Sequence, residues 1–392
     1  MKRAIIIVLD SLGIGALPDA AQYGDEGSNT LRSLAKAKDP FQIPNLVDMG
    51  LGNIAGVEGV KRVPVPAGAF GRLREASKGK DTITGHWEIA GILTEEPFKT
   101  YPDGFPKEFI EKYEAAIGCA VLGNYAASGT EILETLGPEH EKTGRPIVYT
   151  SADSVFQIAA NTAVIPLERL YEMCEIARAM LVGPWSCGRV IARPYIIDES
   201  GKRTRTSDRK DYAVSPPEAT LLDLISRNGQ EVYAVGKISD IFNGSGITRS
   251  VHTESNQDGV DKTLVAMKEA FGGLIFTNLV DFDSKFGHRR NAEGYAGALE
   301  EFDARVPEIL AAMQPGDLLM LCADHGNDPN HTGWDHTREA VPLLILGAGV
   351  VPGKDLGTRN SFADIAATIL DYLEIEEKTP IGTSFMKEIL KQ

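Results

Sequence analysis

The sequence has few cysteines, and their spacing pairs none of them. Its 392 residues include four, Cys119, Cys174, Cys187 and Cys322, with no C-x-x-C pattern. Disulfide-rich secreted domains and cysteine-based zinc modules both need a denser pattern than this. We therefore expect four buried thiols in a protein of a reducing compartment.

Basic residues and long apolar runs are also scarce. There are 40 Lys and Arg against 55 Asp and Glu, which gives a net charge of −15. Such a surface disfavours nucleic acids and anionic membranes as partners, and any phosphate site needs its own local basic cluster. The apolar run at residues 4–9 stops at Asp10, too early for a signal peptide, and no segment approaches a membrane span. The sequence predicts a cytoplasmic protein with no evident obligate protein partner.

Three familiar motifs are missing as well. Lys80 is followed by Asp81 rather than Ser or Thr, so there is no P-loop. Pro18 stands where the dinucleotide fingerprint needs its third glycine, and residues 184–188 lack the first glycine of a G-x-S-x-G elbow. These gaps argue against P-loop nucleotidases, NAD-binding domains and serine hydrolases of the α/β type.

Short apolar runs alternate with helical stretches along most of the chain. The runs lie at residues 4–9, 146–149, 231–235, 274–276, 318–321 and 342–346. Two of the helical stretches are residues 291–313 and 361–373, the second with Ser361 as its expected cap. Continuous apolar runs of this length are typical of strands buried on both faces of a parallel sheet. The alternation predicts a doubly wound α/β fold.

Residues 98–214 have a different character, with mixed helix and strand signals and several Gly and Pro breaks. Candidate ligands lie in the sequence on both sides of this stretch. We therefore expect a discontinuous catalytic core made of residues 1–97 and 215–392, with residues 98–214 as an inserted α+β domain that folds over the site as a cap.

Carboxylates and histidines gather after three of the apolar runs. The candidate ligands are Asp10, Asp283, His288, Asp324, His325 and His336. Because the carboxyl ends of parallel strands meet at one edge of a sheet, we expect these side chains to converge. Imidazole with carboxylate suits zinc, manganese or iron, and a carboxylate-rich set shifts the preference toward manganese or magnesium. Six candidates are more than one catalytic ion needs, so the pattern favours two divalent ions.

The polar loop at residues 79–88 offers two possible nucleophiles, Thr82 and Thr84. A threonine hydroxyl is a weak nucleophile at neutral pH, and a nearby divalent cation is one way to activate it without a histidine base. A helix N-terminus in this segment would favour a phosphoryl group. The residues themselves leave open which threonine reacts, and whether one of them only caps the helix.

Six motifs resemble those of the phosphopentomutases, a family of the alkaline phosphatase superfamily related to cofactor-independent phosphoglycerate mutase. They lie at residues 9–15, 79–88, 127–133, 149–154, 278–283 and 323–328. The resemblance runs the whole length of the chain. It implies an alkaline-phosphatase-like α/β core, with a mostly parallel sheet flanked by helices. It also implies that Thr82, the threonine after Lys-Asp, is the nucleophile.

The resemblance implies further site residues. One ion would be held by Asp10, Asp324, His325 and Thr82, and the other by Asp283, His288 and His336, with Mn²⁺ the usual ion. The substrate-binding positions would be Ser151, Asp153, Arg189, Arg205 and Lys237. Arg forks and a Lys are suitable partners for a phosphate in an acidic protein, and Arg193 and Arg203 are alternatives.

The function that the resemblance implies is interconversion of ribose 1-phosphate or 2-deoxyribose 1-phosphate with the corresponding 5-phosphate. A phosphothreonine would carry the phosphoryl group, and a sugar bisphosphate such as glucose 1,6-bisphosphate would prime the enzyme. One alternative is a metal-dependent phosphatase or phosphodiesterase on the same scaffold, which would release phosphate. A phosphoglycerate mutase would place serine at Thr82, and a non-catalytic metal-stabilised binding protein would use the ligands structurally.

Overall fold

The computed structural model describes residues 1–151 and 154–390. The chain forms two compact units. Unit 1 consists of Met1–Pro97 and Pro216–Gln392, and unit 2 is Phe98–Ser215. Among the described residues, no helix is both long and apolar enough to cross a membrane.

The described part of the chain contains these strands in order: β1 (Arg3–Leu9), β2 (Ala69–Leu73), β3 (Leu122–Ala126), β4 (Ile147–Thr150), β5 (Val155–Asn161), β6 (Arg189–Ile197), β7 (Arg203–Arg205), β8 (Lys210–Ala213), β9 (Glu231–Val235), β10 (Arg249–Val251), β11 (Gly273–Leu279), β12 (Asp317–Cys322), β13 (Val341–Gly347) and β14 (Asp355–Arg359). Each predicted apolar run coincides with a strand, and the observed strands differ from the runs by a few residues at their ends.

The helices are α1 (Thr30–Ala37), α2 (Pro44–Met49), α3 (Thr82–Ile89), α4 (Lys107–Ile117), α5 (Glu131–Thr143), α6 (Leu167–Met180), α7 (Leu221–Arg227), α8 (Ile238–Ile241), α9 (Asn256–Lys268), α10 (Ala292–Ala312), α11 (Asp364–Tyr372) and α12 (Met386–Ile389). A π-helical turn at Phe282–Gly287 follows β11.

Unit 1 is built on an eight-stranded sheet with the order β10-β9-β11-β1-β12-β13-β2-β14. The strands from β10 to β12 are parallel to one another, while β13 runs antiparallel to both β12 and β2. Every residue of β1, β11 and β12 is buried, as expected of central strands covered on both faces. Helices α7 and α9 both contact β11. The predicted α/β fold with a mostly parallel sheet is confirmed.

Unit 2 has its own smaller sheet, with the order β3-β4-β5-β6-β7 and with β8 paired to β6. Both parallel and antiparallel pairs occur in this sheet. One face packs with α4 and α6 around an aromatic cluster that includes Phe109, Tyr113 and Phe156. The rings of Phe109 and Phe156 meet edge to face with centroids 5.5 Å apart, a favourable aromatic geometry. Unit 2 therefore has its own hydrophobic core, as expected of a domain.

Two local expectations were wrong. Ser361 is not the N-cap of α11, because that helix begins at Asp364 with Ala363 in the cap position. The Ser361 hydroxyl donates instead to Glu88 Oε1 at 2.8 Å and accepts from the Ala363 N–H at 3.1 Å. All four cysteines are free, but Cys119 is only partly buried, since it follows the C-terminal turn of α4.

Candidate metal centre and nucleophile

Three neighbouring parallel strands of unit 1, β11, β1 and β12, end beside the candidate metal centre. Asp10 directly follows β1, Asp324 lies just beyond β12 with His325 next to it, and Asp283 sits in the π-helical turn after β11. His336 lies on the connection that leads into β13. Since adjacent parallel strands send their carboxyl ends to the same edge, side chains far apart in sequence meet here.

Two overlapping groups of ligand atoms form within this cluster. Asp10, Asp324 and His325 make up one group and Asp283, His325 and His336 the other, and the ligand atoms of each group lie within 4.8 Å of one another. His325 Nε2 lies 3.3 Å from Asp324 Oδ2 and 3.5 Å from Asp10 Oδ1. His336 Nε2 lies 3.5 Å from Asp283 Oδ1. His325 is therefore shared by both groups.

His288 brings the sixth candidate ligand to the same cluster. Its Nε2 lies 3.0 Å from Asp283 Oδ2 and 3.1 Å from His336 Nε2. Its side chain is 32% exposed, the most accessible of the six. The structure thus brings together all six residues that the sequence singles out as ligands.

Two of the histidines present Nε2 to the cluster because Nδ1 is engaged elsewhere. His325 Nδ1 lies 3.1 Å from the carbonyl oxygen of Gly326, and His336 Nδ1 lies 3.0 Å from that of Lys80. A carbonyl can only accept, so Nδ1 donates and Nε2 keeps its lone pair. Metal-binding histidines usually have their second ring nitrogen held in this way.

Two buried carboxylate oxygens in the cluster have imidazole nitrogens nearby but, within the described part of the chain, no aligned hydrogen bond. Among the residues that the structure describes, no donor is aligned for a hydrogen bond with Asp10 Oδ1 or with Asp324 Oδ2. Burial raises the pKa of Asp10, and the nearby charges of Asp324 and Asp283 raise it further. Leaving such oxygens unpaired is costly. Orphaned carboxylate oxygens that face imidazole nitrogens are a good fit for divalent cations.

Interactions with neighbouring histidines lower the pKa of two of these carboxylates. Burial by itself would raise the pKa of Asp283, but His336 and His288 outweigh it, and the pKa of Asp283 lies well below its ordinary value. Burial also opposes ionisation of Asp324, yet His325 and His86 bring its pKa to about 2. Both carboxylates are therefore ionised at neutral pH, which is the form that binds a cation.

A buried polar network connects these ligands to α3. Asn278 Nδ2 donates to Asp10 Oδ2 at 2.9 Å and lies 3.3 Å from His86 Nε2. His86 Nδ1 lies 2.9 Å from the carbonyl oxygen of Thr82 and 3.1 Å from Asp324 Oδ2. The His86 imidazole therefore links the backbone of Thr82 to Asp324 directly and to Asp10 through Asn278.

The two threonines of α3 have different surroundings. Asp81 is the N-cap, and its Oδ1 accepts from the N–H groups of Ile83 and Thr84 at 3.0 and 3.1 Å. The hydroxyl of Thr84, which is fully buried, donates to Asp81 Oδ2 at 2.6 Å. Thr82 is the first helical residue, and its Oγ1 lies 3.3 Å from His325 Nε2. Asp81 thus caps the helix, Thr84 supports that cap, and Thr82 faces the metal cluster.

Two more side chains of unit 1 act on the cluster. Lys237, which lies just beyond β9 and is half-buried, is close enough for its charge to lower the pKa of Asp10. Asn327 Nδ2 donates to Asp283 Oδ1 at 2.7 Å, while its own Oδ1 accepts from Arg290 Nη1 at 2.7 Å. Asn327 holds one oxygen of the Asp283 carboxylate in place.

Sequence reasoning missed the supporting residues His86, Asn278 and Asn327. Each lies in a motif that carries the resemblance, at residues 79–88, 278–283 and 323–328, so a signal was present. Amide side chains carry no charge and His86 looks like any core histidine, so their roles emerge only from the contacts.

The predicted substrate-binding residues of unit 2 lie at strand ends. Ser151 follows β4, Arg189 begins β6 and Arg205 ends β7. Arg189 Nη1 is 3.7 Å from Asp211 Oδ2, and Arg205 is exposed. Asp153 lies outside the described residues.

Arg205 belongs to a basic cluster around Tyr149. Burial raises the pKa of Tyr149, and the charges of Arg193, Arg205 and Arg209 oppose that rise, which puts all three arginines near this ring. Arg205 also packs against Gly129, because a Cβ added at Gly129 would collide with Arg205 Nη2 and lie 2.7 Å from the Tyr149 hydroxyl. The glycine of the 127–133 motif therefore leaves room for this guanidinium.

The chain is similar to known proteins in both sequence and fold. A sequence model of the Metalloenzyme superfamily matches residues 2–377. A phosphopentomutase of Acetivibrio thermocellus is 57% identical over 390 residues, and one of Alkaliphilus metalliredigens is 54% identical over 391 residues, each covering 100% of both chains. Among solved structures, the PH0037 protein of Pyrococcus horikoshii aligns with 97% of this chain and 99% of its own, with a TM-score of 0.50 and 16% identity. At that identity the last likeness concerns the fold alone.

Proposed function

The chain belongs to the phosphopentomutase family of the Metalloenzyme superfamily, and we propose that it interconverts ribose 1-phosphate or 2-deoxyribose 1-phosphate with the corresponding 5-phosphate through a phosphothreonine at Thr82. The enzyme is an isomerase, whose net reaction moves phosphate from one position of a sugar to another. Its alkaline-phosphatase-like fold is the one that the family carries.

One observation supports Thr82 as the nucleophile above all others. Its Oγ1 faces His325 Nε2 at 3.3 Å, whereas the hydroxyl of Thr84 is buried and donates to Asp81. Of the two threonines, only Thr82 directs its hydroxyl toward the candidate ligands. Its place at the first turn of α3 also suits the negative charge of a phosphoryl group.

The proposed reaction runs in two phosphoryl transfers. In the first, the bond between phosphorus and Thr82 Oγ1 breaks, phosphorus bonds to the free hydroxyl of the sugar monophosphate, and the proton of that hydroxyl passes to Thr82 Oγ1. The sugar is then a bisphosphate. In the second, the bond between the original phosphoryl group and its sugar oxygen breaks, phosphorus bonds to Thr82 Oγ1, and the Oγ1 proton passes to the leaving sugar oxygen. Glucose 1,6-bisphosphate would phosphorylate a dephosphorylated Thr82 in the same way.

The proposal includes two Mn²⁺ ions per chain, held by Asp10, Asp283, His288, Asp324, His325 and His336. The two overlapping ligand groups and the mixture of carboxylate and imidazole support this assignment. The ions would neutralise charge on the transferring phosphoryl group. His86 and Asn278 orient the protein groups around them through the network described above.

The proposal gives unit 2 the role of the cap that binds the sugar phosphate. Arg189 and Arg205 would bind the phosphate, Ser151 and Asp153 the sugar hydroxyls, and Lys237 would contribute from unit 1. The basic cluster around Tyr149 supports this role, since an arginine fork binds phosphate well. Four free cysteines and phosphorylated substrates support the cytoplasm as the place of action.

The test is turnover of ribose 5-phosphate with Mn²⁺ after priming with glucose 1,6-bisphosphate, following ribose 1-phosphate and free phosphate together. Formation of ribose 1-phosphate without stoichiometric phosphate release supports the mutase. Accumulation of phosphate alone would instead identify a phosphatase.

A further inference from the structure

We infer that Arg338 is a positioning residue, which holds the loop that carries Thr82 against the segment that carries His336. The loop comprises residues 74–81 and connects β2 to α3. The inference rests on the proposed role of Thr82, and it adds a residue that touches neither substrate nor ion.

The guanidinium of Arg338 is buried and makes contacts on all sides. The residue is 1% exposed. Its Nη1 donates to Glu75 Oε2 and to the carbonyl oxygen of Gly79, both at 2.7 Å. Its Nη2 donates to the carbonyl oxygen of Glu75 at 3.1 Å and to Asp19 Oδ2 at 3.0 Å. The ring of Tyr23 covers the guanidinium at 4.9 Å. A planar fork is needed to reach so many acceptors at once.

Three successive carbonyl groups just before Asp81 each accept a hydrogen bond from a side chain. The hydroxyl of Tyr23 donates to Lys78 O at 2.7 Å, and Arg338 donates to Gly79 O at 2.7 Å. His336 Nδ1 donates to Lys80 O at 3.0 Å. Residues 78–80 lie outside the helices and strands. These three side chains therefore provide the hydrogen bonds that these carbonyl groups need.

Arg338 and His336 lie two residues apart on the same segment. They donate to the consecutive carbonyl groups of Gly79 and Lys80. The segment is also attached through its backbone, since the N–H of Arg338 donates to Asp25 Oδ2 at 2.9 Å. The same carboxylate oxygen accepts from Lys80 Nζ at 2.9 Å. Several hydrogen bonds therefore join the segment of the candidate ligand His336 to the loop at residues 74–81. Arg338 also binds Glu75, near the start of that loop.

This arrangement fixes the distance between Thr82 Oγ1 and the ligand cluster. A displacement of about 1 Å at a reacting group can lower a rate by roughly 10²-fold. Lysine at position 338 keeps the charge but cannot bind Glu75, Gly79 and Asp19 together. We expect kcat to fall while substrate binding, for which no residue of this loop is proposed, is kept.

Arg3 offers a matched control within unit 1. It is 2% exposed, and its guanidinium binds Asp317 at 2.8 and 2.9 Å and the carbonyl oxygens of Met267 and Glu269, both at 2.9 Å. It therefore resembles Arg338 in burial, charge pairing and backbone contacts, but none of its partners belongs to the threonine loop. A loss that came only from disturbing a buried arginine would be similar for both residues.

The experiment compares Arg338→Lys with Arg3→Lys in the full chain. The measurements are kcat, KM for ribose 5-phosphate, thermal unfolding and the rate at which glucose 1,6-bisphosphate phosphorylates Thr82. For Arg338→Lys we expect kcat and the phosphorylation rate to fall by roughly 10²-fold, with KM changed by no more than about threefold. For Arg3→Lys we expect a similar loss of thermal stability with little change in kcat.

Added guanidinium ion gives a second readout, in Arg338→Ala and Arg3→Ala. We expect it to restore part of kcat in the first variant and none in the second. Should Arg338→Ala fail to fold, Glu75→Gln weakens the same contact more mildly. Equal loss of kcat in the two lysine variants, or normal phosphorylation of Thr82 in Arg338→Lys, would overturn the inference. Absence of Thr82 phosphorylation in the unmodified enzyme would instead overturn the proposed function.

Discussion

The candidate metal centre of unit 1 and the basic cluster around Tyr149 in unit 2 are organised in opposite ways. Around the candidate metal centre, most of the candidate ligands are buried and further groups hold them, as Asn278 holds Asp10 and Asn327 holds Asp283. In unit 2, Arg205 is exposed and rests on a glycine that leaves it space. Groups that organise charge at a reacting centre benefit from rigid support, while long arginines can adjust to a sugar phosphate.

The difference has a cause in the two sheets. The candidate ligands of unit 1 follow β11, β1 and β12, which are adjacent and parallel, so their side chains meet at one edge of the sheet. In unit 2, Arg189 begins β6 whereas Arg205 ends β7, and these two strands are antiparallel. In a mixed sheet the strand ends do not all lie at one edge. Which side chains meet therefore depends on the strand order and strand lengths of that particular sheet.

We expect the largest effect on turnover from a change to a candidate ligand of the metal centre. Asp10→Asn removes a buried carboxyl group whose ionised form is disfavoured by burial and by the charges of Asp324 and Asp283. We expect turnover to fall by roughly 10³-fold or more, because a candidate ligand is lost. In EDTA the variant should unfold at the same temperature as the unmodified protein or a higher one, since the cost of burying that carboxyl group is gone. Thermal unfolding with and without MnCl2 checks this, and the stabilisation by Mn²⁺ should disappear in the variant.

A milder change tests the support behind a ligand. Asn327→Ala removes the donor to Asp283 Oδ1 and should weaken Mn²⁺ binding by roughly 10- to 100-fold, as measured by calorimetry. Asn45→Ala is the matched control, because Asn45 Nδ2 donates to Asp303 Oδ2 at 2.9 Å in the same kind of contact but away from the metal ligands. An equal loss of Mn²⁺ affinity in both variants would contradict the role of Asn327.

In unit 2, a single methyl group sharpens the comparison. Gly129→Ala should displace the Arg205 guanidinium and raise KM for ribose 5-phosphate by roughly tenfold, the value of one charged hydrogen bond, with little change in thermal stability. Gly137→Ala is its control, since the added Cβ would displace Arg203, which pairs with Glu141 instead. KM should be unchanged there. A raised KM in both variants would contradict a specific role of Arg205, because displacing Arg203 would then have the same effect.

The smallest effect concerns a structural ion pair of unit 2. The two hydrogen bonds from Arg203 lower the pKa of Glu141, despite its partial burial. A lowered pKa stabilises the folded state above the ordinary pKa of glutamate, and this stabilisation is lost as the pH falls through the folded value. Glu141→Gln should therefore lower stability by about 1 kcal/mol at neutral pH and less in acid. Glu139→Gln, at an exposed pair, should change thermal unfolding at neither pH.

Much of the fold could be predicted because its strands are continuous apolar runs. The runs at residues 4–9 and 318–321 became the neighbours β1 and β12, and the acidic residues after them meet as expected. The order of the strands could not be derived, since it depends on packing between distant segments. The antiparallel β13 is an example, because its apolar run resembles those of the parallel strands.

The support around the site was less predictable for a physical reason. Arg338 and His86 are polar residues with no periodic pattern, and their partners lie far away in sequence. The choice between Thr82 and Thr84 did have a local signal, because aspartate is a better N-cap than threonine and Asp81 directly precedes both. Assigning the cap to Asp81 removes the reading in which Thr82 only caps the helix.

The central claim is that Thr82 carries the phosphoryl group, and the most direct test is to locate that group. The unmodified enzyme, Thr82→Ala and Thr84→Ala are each treated with glucose 1,6-bisphosphate, and the phosphorylated residue is mapped by mass spectrometry. We expect phosphothreonine at position 82 in the unmodified enzyme and in Thr84→Ala, which should lose only about 1 kcal/mol of stability with its cap contact. Thr82→Ala should remain unphosphorylated and inactive. Phosphate on Thr84, or normal turnover by Thr82→Ala, would contradict the account.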